Sequence, residues 1–179
     1  MLNKENTGLI IVDVQGKLAR LVSNSDAVIS NCAKLIKGAQ VLGLPIVWLE
    51  QNPEKLGQTV EELQALLIGH NPIAKFTFDA CLEPNFVEAM KTSGKTSWLI
   101  CGIEAHICVY QTAVHLKNMG FEVNIVSDGV SSRDQSNKDL AIHKLAGSSV
   151  DITGLEMCLY ELVEDCRAPE FKEILNLIK

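Results

Sequence analysis

The sequence predicts a three-layer α/β/α fold built on a six-stranded, mainly parallel sheet in the doubly wound order 3-2-1-4-5-6. Three observations carry that expectation. Short runs of β-branched and other apolar residues recur along the chain, each followed by a helical pattern. The runs lack polar alternation, as strands buried on both faces do. No linker, low-complexity stretch or internal repeat separates the units, so residues 1–179 are expected to form one domain.

Leu9-Ile10-Ile11-Val12 reads as the first strand. Asp26 to Leu42 reads as a helix, because Val28, Ile29, Cys32, Leu35, Ile36 and Ala39 fall on one face, and Gly43 closes it. Pro45 to Leu49 begins strand two, Val60 to Leu67 a short helix, and Ile73 to Phe76 strand three. Pro84 to Met90 is a helix with proline in its first turn, where the missing N–H is harmless. Ser97 to Cys101 is strand four, followed by a helix from His106 to Met119 that Gly120 ends. Phe121 to Val126 is strand five and Asn137 to Leu145 a helix. Ser149 to Ile152 is a short sixth strand, before helices at Gly154 to Glu164 and Glu170 to Ile178.

Composition narrows the function classes. Apolar residues make up 47% and charged residues 21%, the balance of a globular chain. A net charge of −6, with no Lys/Arg run, argues against nucleic acid or an anionic membrane as partner. The polar N-terminus does not read as a secretory signal, and no apolar run is long enough to span a bilayer. A cytoplasmic location follows as the expectation, with the six cysteines reduced. They contain no Cys-x-x-Cys pair, which argues against a structural zinc site.

In a doubly wound sheet the site lies beyond the carboxyl ends of the strands, where strand order switches. Asp13 ends strand one; desolvated there, its carboxylate is a candidate proton acceptor, although alone it could equally cap a turn. Lys75 interrupts an apolar stretch and so needs a partner, for which Asp13 is the natural candidate; an edge-strand lysine reaching solvent would look the same. Cys108 follows a glycine-containing strand-to-helix turn. A thiol in the first turn of a helix meets the positive end of the dipole, which lowers its pKa; a small core residue is the alternative. Cys32, Cys101 and Cys158 fit that core role, whereas Cys81, after Asp79-Ala80, is ambiguous. His106 is two residues from Cys108, a spacing at which helical side chains do not face each other, and reads as a rim or turn residue. Gln15, Gln51, Asn52 and Phe78 are further pocket candidates by proximity to the strand ends.

These segments resemble the isochorismatase-like cysteine hydrolase family. The resemblance rests on Asp13 in LIIVDVQGKL, Lys75 in IAKFTFDA and Cys108 in CGIEAHICVYQTAVHLKNMGFEV, and continues through IVSDGVSSR. It implies an Asp13–Lys75–Cys108 triad and a cis peptide joining Ile103 to Glu104. It also implies an oxyanion site made of amides near Glu104 or Ala105 and of Cys108. Metal-assisted nicotinamidases of the family carry an Asp-x-His element and a further His after strand two; this chain has Glu50-Gln51-Asn52-Pro53 there, so the resemblance is to the metal-free, less characterised branch. A hydrolase of a small amide-like C–N bond follows, working through a Cys108 thioester, needing no cofactor, acting on a small-molecule substrate and forming a homo-oligomer. The rivals are a non-catalytic binding or scaffold protein on the same fold and a thiol hydrolase of esters or thioesters. The reach of Lys75 is a geometric question, since strand three lies two positions from strand one, roughly 10 Å away.

Overall fold

In the computed structural model, which describes residues 1–179, six strands form one sheet in the order β3-β2-β1-β4-β5-β6, every pair parallel. The elements run β1 (Thr7–Val12), α1 (Leu18–Leu21), α2 (Ser25–Val41), β2 (Ile46–Gln51), α3 (Pro53–Leu56), α4 (Glu61–Gln64), β3 (Ile73–Lys75) and α5 (Pro84–Thr92). They continue with β4 (Ser97–Ile103), α6 (Tyr110–Asn118), β5 (Glu122–Ser131), α7 (Gln135–Ala146), β6 (Asp151–Thr153), α8 (Leu155–Val163) and α9 (Phe171–Ile178). A 3-10 turn at Ala80–Leu82 precedes α5, and a π-helical turn at Ala105–Val109 precedes α6.

The buried strands explain the unalternated runs. One apolar cluster fills the space between the sheet and α2, α8 and α9, and a second fills the opposite face beneath α5, α6 and α7. Neighbouring residues of β1 therefore serve different cores, Ile11 with the first cluster and Ile10 and Val12 with the second. Both tryptophans are core residues. Trp98 lies across Gly8, where an added Cβ would sit 2.4 Å from the ring, and Trp48 donates its indole N–H to Thr59 Oγ1 at 2.7 Å.

Three local differences from the sequence reading have physical causes. The predicted helix over 60–67 shortens to the single turn α4, with only Leu63 of that turn buried to hold it. The predicted helix over 106–119 divides at Tyr110 into a π turn and α6, because the chain leaves β4 sharply at Glu104. β5 runs on to Ser131 by bulging: β4 advances from Ile100 to Gly102 while β5 advances from Ile125 to Val130. The bulge is anchored from both sides, since Asn31 Nδ2 donates to Asp128 O at 2.8 Å and Asp128 Oδ1 accepts from the Leu155 N–H at 2.8 Å.

Gly102 is where β4 meets the end of β1. Its φ of +139° and a Cβ position only 2.1 Å from Val12 O leave no room for a side chain. Gly102→Ala is expected to lower unfolding stability by roughly 3 kcal/mol or more. Gly43→Ala, with φ +67° but open space around it, should cost about 1 kcal/mol. Urea midpoints of the two variants measure the difference.

Candidate active site

Each of the three inner strand ends on the β2-β1-β4 side turns on a non-glycine residue with positive φ: Asn52 at 36°, Asp13 at 55° and Glu104 at 55°. Such conformations are strained by about 1–2 kcal/mol per residue, least for Asn and Asp, and persist where surrounding structure enforces them. All peptide bonds are trans, so the cis bond expected between Ile103 and Glu104 is absent. The sharp exit from β4 is made instead by the positive φ values of Gly102 and Glu104.

Lys75 answers the question of reach. It ends β3 in register with Gln51 of β2, and its side chain passes over the β2 end, fully buried. The ammonium donates to Asp13 Oδ2 at 2.7 Å and to Gln51 Oε1 at 2.7 Å, with Thr77 O at 3.4 Å. Gln51 is itself fixed, its Nε2 donating to Phe76 O at 2.8 Å. The charge is thus surrounded by acceptors, as a buried cation requires.

Asp13 Oδ2 is committed to Lys75, whereas its buried Oδ1 has no hydrogen-bond partner. Burial pushes the Asp13 carboxyl above the usual carboxylate range, and the pull of Lys75 only partly offsets that. The carboxylate shares a cavity with Cys108, of about 260 Å³. Burial, reinforced by the Asp13 charge, pushes the Cys108 thiol up to about 12. The expected lowering by a helix start is therefore reversed. Cys108 is the fourth residue of the π turn and is buried, so loss of hydration and a neighbouring anion outweigh the dipole.

Gln51 and Phe78, read as pocket candidates, line the cavity, and so do Ile103 and Glu104, which the resemblance assigns to the turn after strand four. Ala105 is buried at the start of the π turn and does not. The Glu104 N–H donates to nothing in the protein. Gln15 is a strut, not a wall. Its Nε2 donates to Gln51 O at 3.2 Å and Gly57 O at 2.6 Å, and its Oε1 accepts from the Gln51 N–H at 2.6 Å. Asn52 shapes the exit of β2 without lining the cavity, and His106 turns away to Ser132 Oγ at 2.9 Å.

The remaining walls are Leu18, Leu56, Ile107 and Arg133, none singled out by sequence. Arg133 Nε donates to Glu104 Oε1 at 2.8 Å, and the guanidinium side chain is more than half exposed at the mouth. The strand-end rule would have found it had strand five been read through Ser131. Leu18 and Leu56 come from the short helices α1 and α3; the Gln15 amide fixes the end of α3 at Gly57 O, a long-range bond for which no sequence pattern exists.

The isochorismatase domain profile matches residues 7–157. Isochorismatase domain-containing protein 1 of Danio rerio is 37% identical over 168 residues, 93% of this chain but 59% of that protein. Isochorismatase domain-containing protein 2 of the same species is 36% identical over 178 residues, 99% of this chain and 89% of that one. Among solved structures, the MAR1 ribonuclease of Caenorhabditis elegans superimposes with a TM-score of 0.93 at 32% identity, covering 99% of this chain and 91% of its own.

The raised thiol pKa has a measurable consequence. Alkylation of Cys108 by iodoacetamide should be slow at pH 7 and still climbing above pH 9. In Asp13→Asn, which removes the anion that raises it, the midpoint should move down. Peptide mass spectrometry across a pH series reports both; a wild-type midpoint below 8.5 would contradict this picture.

Proposed function

This chain belongs to the isochorismatase family, and on that premise we propose that it is a cysteine-dependent hydrolase opening a small amide-like C–N bond through a Cys108 thioester. One observation carries the reading: a buried carboxylate oxygen, Asp13 Oδ1, has no partner, and Asp13 and Cys108 line the same cavity. An unsatisfied buried acceptor beside a protonated thiol is the arrangement a general base needs.

In this reading the resting thiol is neutral, and the proton moves to Asp13 Oδ1 as sulfur bonds to the substrate carbonyl carbon. The carbonyl oxygen takes up the electron pair and rests against backbone N–H donors, the Glu104 N–H among them. Collapse breaks the C–N bond, and the proton held by Asp13 passes to the departing amine. A water molecule then gives a proton to Asp13 and its oxygen to the thioester. An acid leaves, and the proton returns to the Cys108 sulfur. Lys75 takes no part in these proton transfers. It holds Oδ2, so that Oδ1 alone gives and receives the proton, and it stabilises the carboxylate that burial disfavours.

Cavity size supports a small substrate, since about 260 Å³ lies below the range typical of drug-sized ligands, about 300–1,000 Å³. The walls are mainly apolar, and Arg133 is the one cation lining the space. The ribonuclease activity in the name of the C. elegans neighbour does not suit this surface, because a net charge of −6 disfavours a polyanion. Phe76, Phe78 and Leu82 are exposed, and Phe78 lines the cavity, which fits a homo-oligomer covering this face. Six free cysteines fit a reducing, cytoplasmic setting. No helix is long and apolar enough to cross a membrane.

A panel of small amides, with matched esters and thioesters, tests the reading. Amide turnover is expected, with an acyl mass increment trapped on the Cys108 peptide. Cys108→Ala should lower kcat by at least about 10³-fold and Asp13→Asn by roughly 10²–10⁴-fold, while Cys166→Ser, at an exposed thiol, leaves it unchanged. Turnover confined to esters would move the assignment to the ester-hydrolase rival. No adduct on any member would favour the scaffold.

A further inference from the structure

We propose that Asp79, Cys81 and His115 form a binding site for a divalent metal ion of the zinc class, separate from the Cys108 cavity. Asp79 and Cys81 flank Ala80 at the 3-10 turn after β3, and His115 projects from α6. One ligand atom from each residue lies within 4.8 Å of the other two. None of the three lines the Cys108 cavity.

The scaffold that brings them together does not depend on them alone. The Ala80 N–H donates to Thr112 Oγ1 at 3.0 Å, which docks the turn on α6 one helical turn before His115. Asp79 caps the turn by accepting the Cys81 N–H on Oδ1 at 2.9 Å, and this directs Oδ2 to His115 Nδ1 at 2.6 Å. The Cys81 thiol makes only a long contact, 3.8 Å, with Thr112 O. A helix-docking role would need the cap and the Thr112 bond; it gives no reason for a third ligand type beside them.

The donor set suits zinc. A thiolate, an imidazole and a carboxylate are its three usual ligands, whereas magnesium and calcium take oxygen sets. With bonds of about 2.0–2.3 Å in a tetrahedron, ligand atoms sit about 3.3–3.8 Å apart. No separation has to close by more than about 1 Å, and the Asp79–His115 pair, at 2.6 Å, has to open by about 0.7 Å, movements within reach of a partly exposed imidazole. Charge also balances: one thiolate and one carboxylate neutralise a dication at a half-buried position. On binding, the Cys81 thiol proton leaves to solvent, and the neutral His115 ring carries its proton on the nitrogen that does not ligate. Asp79 and His115 also line an open cleft bordered by Gln111 and Asn118, which leaves room for a water as fourth ligand.

The sequence expectation of no metal rests on the missing Cys-x-x-Cys and on the missing histidine after strand two. This cluster uses neither pattern; its carboxylate and imidazole are 36 residues apart and meet only in the fold. It also joins the segment that serves the cavity. Thr77 Oγ1 donates to Asp79 O at 2.8 Å, so a metal at Asp79 would stiffen the stretch bearing Lys75 and Phe78.

The test is titration of the chelator-stripped full chain with zinc by calorimetry, and with cobalt(II) by absorption spectroscopy. One zinc per chain is expected, with micromolar or tighter affinity that weakens at least tenfold in Cys81→Ser and in His115→Gln. Cobalt should give a thiolate-to-metal charge-transfer band that disappears in Cys81→Ser and survives in Cys108→Ser. His115→Gln, on a half-exposed face, decides the matter should Cys81→Ser fail to fold. The proposal is overturned by the absence of stoichiometric zinc, by zinc affinity unchanged in both Cys81→Ser and His115→Gln, or by a band lost in Cys108→Ser and kept in Cys81→Ser.

Discussion

The ion pair between Lys75 and Asp13 is the constraint around which this molecule is arranged. Neither group tolerates burial alone. A buried charge that loses its partner is destabilising by about 3–5 kcal/mol, so the two have to be delivered together, although β3 and β1 are separated by β2. The solution is the Gln51 amide at the end of the intervening strand, which accepts from the ammonium and donates onward to Phe76 O. Three strand ends are thereby tied into one polar layer above an apolar sheet. The positive φ values of Asp13 and Asn52 follow from the same demand, because the chain has to turn sharply to bring the layer together. A pair of this kind is weak evidence for stability and better evidence for a site, since an apolar pair would serve folding as well.

Much of this is legible in the sequence. The all-parallel sheet follows from runs such as Leu9-Ile10-Ile11-Val12, because a strand with cores on both sides cannot alternate polar and apolar residues. Asp13 and Lys75 were visible as charges interrupting apolar stretches, and the need for a partner predicted their contact. What escaped reading depends on depth and on long-range hydrogen bonds. The Cys108 titration reverses because burial and a neighbouring anion are tertiary quantities, while helix position is a local one. The exit from β4 was expected to use a cis bond between Ile103 and Glu104; positive φ at Gly102 and Glu104 achieves the turn instead, and composition does not distinguish the two. Gln15 looked like a pocket residue because it follows Asp13 closely, yet its amide is spent on the backbone of the neighbouring loop.

The two sides of the cavity differ in origin. Its floor is built from strand ends and the π turn, locked by register and by the close approach of Gly102 to Val12 O. Its walls are single apolar side chains on short loop helices and turns: Leu18, Leu56 and Phe78. Those loops have little core of their own. α3 contributes no buried residue, and it is held by the Gln15 amide and by the Gly16 N–H donating to Gln58 O at 3.0 Å.

The Gln15 strut has a consequence for how such a protein diversifies. Because one amide grips the backbone of both the β2 end and the following loop, the loop's path is set independently of its side chains. Replacing Leu56 or its neighbours with residues of other sizes changes the shape presented to a small molecule without passing strain to the ammonium–carboxylate pair beneath. Selection can therefore act on molecular preference and on chemistry as two separable traits. A lineage can try new substrates through wall substitutions while its proton-handling groups stay intact, and a single glutamine permits that separation.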